Sequence, residues 1–110
     1  MTSALERVRA ICRELPGVEE RLSYGTPSFF VQRRMFAQFW DDHHGDGRIA
    51  LWCAASALAQ ETLIEVEPET FFRPPFLGRR GWLGLWLDHG PDWARVTRIV
   101  GGAYATVVGH

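Results

Sequence analysis

Residues 35–53 read MFAQFWDDHHGDGRIALWC. Two apolar runs flank a polar centre, and within each run the side chains alternate. Met35, Ala37 and Phe39 fall on one side and Phe36, Gln38 and Trp40 on the other, while Ile49, Leu51 and Cys53 oppose Ala50 and Trp52. Period-two alternation in runs of this length is the mark of strands, and the intervening glycines accept the positive φ that a connecting loop needs. Just upstream, VEERLSYGTPSFFVQ is rich in turn and strand formers. It predicts short strands near Arg21–Tyr24 and Ser28–Gln32, with Gln32, Arg33 and Arg34 as a tight turn into the next strand. The centre of the chain is therefore expected to be a four-stranded meander.

Helical signals surround it. Ser3 and Glu6 form a capping-box pair, and Leu5, Val8, Ile11, Cys12 and Leu15 recur at helical spacing until Pro16 and Gly17, predicting a helix over residues 3–15. A second helix is expected in SALAQETLIEV, capped by Ser56, with Leu58, Thr62, Leu63 and Val66 as its apolar stripe. After a proline-rich loop, GWLGLWLD alternates again, with Leu83, Leu85 and Leu87 opposite Trp82, Gly84 and Trp86. A third helix opens at Pro91 and Asp92 and carries Trp93, Val96, Ile99, Val100, Ala103, Tyr104 and Val107 on one stripe, weakened at Gly101 and Gly102 by about 1 kcal/mol per glycine. The expected architecture is α+β, one domain over residues 1–110, with about five strands in an antiparallel-dominated sheet, three helices and the order α-β-β-β-β-α-β-α.

A chain of 110 residues can bury a core without metal or disulfide support, and 46% hydrophobic residues exclude a disordered chain. No apolar run is long enough to cross a membrane. Charged Glu6, Arg7, Arg9 and Arg13 interrupt the N-terminal apolar positions, so no secretory leader is read and a cytoplasmic location is expected. Cys12 and Cys53 have no metal-site or redox spacing and are expected to be structural thiols.

All 12 basic residues other than histidine are arginine, and the formal net charge is −1. Balanced charge does not suit a strong, uniformly basic nucleic-acid binder, yet every fixed cation can bond bidentately or stack on a ring. Residues 61–69 hold Glu61, Glu65, Glu67 and Glu69, read as solvating a helix end, whereas residues 70–87 hold Arg73, Arg79 and Arg80 and no acid. Trp40, Trp52, Trp82 and Trp86 are placed by alternation on one sheet face, either as core or as an aromatic platform. The DDHHGDG loop lacks the spacing and remote partners of a metal site, and is expected to be a solvated hairpin tip. No nucleophile elbow, reactive-cysteine signature or phosphate-cradling glycine loop is present.

The blocks LPGVEERLSYGTPSFFV, RRMFAQF, FFRPPFLGRRGWLGLWLD and DWARVTRIVGGAYATV, in this order and spacing, resemble the MmcQ/YjbR-like family across nearly the whole chain. The resemblance implies a small α+β domain of the double-wing type, described as DNA-binding by analogy with winged helices, with no cofactor, no metal and no catalytic residue. On this basis the expected function is a non-enzymatic DNA-binding module, weak and mostly sequence-independent. Its phosphate contacts would come from Arg33 and Arg34 at one turn and Arg79 and Arg80 at the other, with Arg73 and Trp82 as further nucleic-acid-binding residues. The alternative is a small-molecule or peptide-binding domain that uses the tryptophan-lined sheet face.

Overall fold

The computed structural model describes residues 3–109. The central strands pair as their alternation requires. β1 (Glu19–Ser23), β2 (Thr26–Val31), β3 (Arg34–Asp41) and β4 (Ile49–Cys53) form an antiparallel meander. A late strand, β6 (Leu83–Trp86), pairs with β4, and β5 (Phe71–Phe72) closes the far edge, giving the order β1-β2-β3-β4-β6-β5. The fold is thus α+β, as expected, with one strand more. Phe71–Phe72 is only two residues long and lies in a stretch whose prolines and glycines mask a strand signal.

Three helices complete the chain: α1 (Ala4–Arg13), α2 (Ala57–Val66) and α3 (Trp93–Val108). Each starts where a short polar side chain takes up orphan backbone donors: Ser3 accepts from Glu6 N, Ser56 from Ala59 N, and Asp92 from Ala94 N and Arg95 N. Asp92 is therefore the cap of α3 rather than a residue inside its first turn. α3 runs unbroken through Gly101 and Gly102.

The helices cover one face of the sheet. Val8 and Cys12 of α1 and Val96, Val100 and Ala103 of α3 are buried with Phe29, Leu51, Leu83 and Leu85 of the strands. Alternation misplaces one central residue. Phe29 pairs with Ala37 and Phe30 with Met35, so Phe36 is an extra residue in β3, a bulge. The bulge turns Phe36 to the helix side, fully buried and edge-on to Tyr104 at 5.6 Å, and leaves Met35 on the opposite face.

The α2 stripe is also corrected. Leu58 and Val66 are 74% and 68% exposed, so they face solvent. Gln60 is the buried residue of this helix: its Nε2 donates to Gly78 O at 3.0 Å and to Trp82 O at 2.6 Å. One amide thereby fixes the whole arginine-bearing loop between β5 and β6, with Leu63 and Ile64 packing beside it. At the other border of the sheet, β1 exposes Glu19, Glu20, Arg21 and Leu22, and Arg9 of α1 holds Glu20 bidentately at 2.8–3.1 Å.

Leu85 is 2% exposed against the helices. Leu85→Ala is expected to destabilise the fold by about 2–5 kcal/mol, while Leu58→Ala changes stability by less than about 0.5 kcal/mol; paired chemical-denaturation curves check both.

Candidate functional site

The sheet face turned away from α1 and α3 carries Gln38, Trp40, Ala50, Trp52, Gly84 and Trp86, with Phe72 beyond them on β5. Small residues stand between large ones for steric reasons. A Cβ at position 84 would overlap the Phe72 ring, which stacks on Trp86 with centroids 4.1 Å apart. Arg48 lies over the Trp86 ring at 3.8 Å and binds Asp88 bidentately at 2.9 and 3.0 Å. This guanidinium is engaged twice, and it holds the Asp88 carboxyl well below its ordinary range, at about 2.

A buried polar chain orients the central indole. Thr26 Oγ1 donates to Phe39 O and Ser28 Oγ to Thr26 O. Gln38 Nε2 donates to Ser28 Oγ at 3.0 Å and to Ser23 O at 3.3 Å, and Gln38 Oε1 accepts from Trp40 Nε1 at 3.2 Å. Every hydrogen-bonding group of the Gln38 amide is turned to the protein, as a 2% exposed amide requires. Trp40 then packs on Trp52 at 4.9 Å.

Two adjoining chambers open over these rings and share Trp40, His43, Trp52 and Pro75 as their divide. The inner one, of about 240 Å³, is bordered by Phe72 and Trp86 and by Asp46, Arg48 and Arg73. The outer one, of about 550 Å³, is bordered by Tyr24, Met35, Phe76 and Leu77. Concave, mostly apolar space of this size with a few polar groups is the usual form of a small-ligand site.

His43 corrects the expectation of a wholly solvated DDHHGDG loop. The loop makes a short 3-10 turn over His43–Gly45, and the His43 ring sits 4.6 Å from Trp40 and 5.0 Å from Trp52, with His44 stacked on it at 4.1 Å. Burial lowers the His43 pKa, the His44 charge lowers it further, and Asp46 opposes both. The described residues contain no group of three or more His, Cys, Asp or Glu that could hold a metal. Both cysteines are buried free thiols; burial pushes Cys12 up to about 12 and Cys53 up as well, which leaves them inert.

The expected nucleic-acid contacts do not come together at one place. Arg34, Arg80 and Trp82 border one depression of about 560 Å³ beside Thr106 and Val107 of α3, so Trp82 does not join the other tryptophans. It precedes β6, and its carbonyl is drawn to Gln60. Arg73 borders the inner aromatic chamber, its stem lying where a Cβ at Gly78 would sit. Arg33 and Arg79 are exposed and border neither chamber nor this depression. Among the described residues none of these five arginines forms an ion pair, whereas Arg9, Arg48 and Arg95 do. Glu67 is the partner of Arg95, which takes it out of the expected solvating acidic run. Gln32 and Arg33 form the β2–β3 turn with φ of 52° and 66°, the doubly left-handed form that two-residue hairpins favour, without glycine.

Compared with known proteins, the chain matches the family described as YjbR over residues 13–106. No match is found among curated proteins. The crystal structure of Deinococcus radiodurans protein DR2400, described as a DUF419 domain, superposes with a TM-score of 0.82 over 97% of this chain and 80% of that one, at 22% identity. At that identity the likeness establishes the fold.

Because the fold favours neutral His43, its contribution to stability is full above the ordinary histidine value of 6.5 and is lost as pH falls through that value toward the lowered one. Stability measured by denaturation is expected to decline across this window, and His43→Gln is expected to flatten the decline.

Proposed function

The chain belongs to the YjbR family, and we propose that it works as a binding module whose working surface is the aromatic groove on the uncovered sheet face. One observation carries this. Trp40 is held by the buried Gln38 amide, packs at a tilt on the buried Trp52, and faces open concave space instead of a helix. Positioning large rings so firmly against water wastes apolar area unless something else covers them, and a small molecule or an apolar side chain of a peptide supplies that cover.

A second function, contact with DNA phosphates, is favoured by the meeting of Arg34 and Arg80 at one depression with no acidic neighbour among the residues that border it. The two arginine-bearing turns would act there as a pair of wings, contributing phosphate contacts without base readout. With two such contacts, affinity would be weak and its log–log salt slope about −1.8.

Nuclear magnetic resonance separates the two. Titration with small aromatic fragments is expected to shift the indole N–H signals of Trp40 and Trp52 and leave that of Trp93 in place, and Trp40→Ala is expected to weaken the response about tenfold. Duplex DNA at about 50 mM salt is expected to shift Arg34 and Arg80 instead, with the shifts fading at about 200 mM. A fragment set that moves no groove signal rejects the groove, and DNA shifts that survive Arg34→Ala with Arg80→Ala reject the wings.

A further inference from the structure

The outer chamber is built for one kind of guest, an inference that rests on the groove being a binding site. Among the described residues no arginine, aspartate or glutamate borders this chamber. Its polar side chains are the Gln38 amide, the Tyr24 phenol and the imidazoles of His43 and His44. Both N–H groups of the amide are taken by Ser23 and Ser28 and its oxygen accepts from Trp40, so this 2% exposed amide has no donor left for a guest. A charged guest would give up water and meet no fixed opposite charge, which is the costliest kind of burial. An uncharged guest avoids that cost and gains contact with the half-buried Trp40 indole.

The rim carries a second, independent signal. Phe76 has φ 63° and ψ −59°, and Leu77 N donates to Pro75 O at 2.6 Å, so residues 75–77 form a γ-turn of the rare positive-φ kind. Such a conformation is strained for a bulky residue and persists only where the surroundings impose it. Here they do: Gly78 N donates to Pro74 O at 2.9 Å, and Gln60 holds Gly78 O from the other side. The result is a phenyl ring 81% exposed at the mouth of the chamber. Tyr24, in the two-residue turn that it forms with Gly25 between β1 and β2, stands 91% exposed at the same mouth. Two aromatic side chains left in water at one mouth, one of them on a strained γ-turn, are placed to cover something flat.

We propose that the outer chamber binds an uncharged planar aromatic molecule, seated on the Trp40 indole and covered by the Phe76 and Tyr24 rings.

Two fluorescent probes that share a phenyl-naphthylamine skeleton test this, because they differ only in charge. N-phenyl-1-naphthylamine is neutral and 1-anilinonaphthalene-8-sulfonate is anionic. At about pH 8 the neutral probe is expected to bind one saturable site and to receive energy from the tryptophans, with the sulfonate about tenfold weaker or worse. Phe76→Gly suits the positive φ, so it is expected to keep or raise the melting temperature while weakening the neutral probe about fivefold. Comparable or tighter binding of the sulfonate, lost in Trp40→Ala, would overturn the uncharged class and leave the groove standing. Neutral-probe binding unchanged in a folded Phe76→Gly chain overturns the covering role of that ring. Saturable binding of neither probe, or binding indifferent to Trp40→Ala, overturns the groove itself.

Discussion

A sheet has two faces, and this chain covers only one of them with helices. α1 and α3 lie against the side bearing Phe29, Leu51, Leu83 and Leu85, while α2 sits at the β5 end and spends its one buried side chain, Gln60, on a loop. Tryptophans on the other side are left to shield one another. Trp52 manages this, at 4% exposure, because Trp40 and His43 lean over it; Trp40 and Trp86 are only half-buried. The groove is what remains when rings too large to be left flat in water are packed without a helix above them.

Gln60 decides the shape of that remainder. By donating to two carbonyls of the same loop it fixes where the chain between β5 and β6 runs, and so where Pro75, Phe76 and Leu77 stand over the outer chamber. An apolar residue there would leave the Trp82 carbonyl without this donor, at a cost of about 1–3 kcal/mol, while Gly78 O would keep only Gly81 N. Strain at Phe76 is thus sustained from a distance, by an amide on a helix that does not touch the groove.

The fold class, the meander and the caps at Ser3 and Ser56 were all legible in the sequence, because local rules produce them. So was the shared face of Trp40, Trp52 and Trp86, since alternation needs only the strand itself. Legibility ended where a partner decides. The face of Phe36 depends on an extra residue opposite Phe29, which no single strand reveals. Leu58 and Val66 looked like the buried stripe of α2, but burial there went to a polar residue that satisfies remote carbonyls. His43, Tyr24 and Phe76 belong to turns, whose conformations are set by long-range packing, and nothing in DDHHGDG or RPPF signals a ring turned toward the tryptophans. Arg34 and Arg80 come from separate turns and meet only in three dimensions.

The borders of the sheet limit how anything can be recognised. β1 presents charged Glu19, Glu20 and Arg21 outward, with Glu20 clamped to Arg9, and β5 offers only two residues. Short or charged margins of this kind resist the addition of a further strand from another chain. Backbone-to-backbone templating is therefore disfavoured at both ends, so selectivity at the proposed groove would fall to side chains: a guest would be sorted by the shape and polarity of its rings, not by its ability to become part of the sheet.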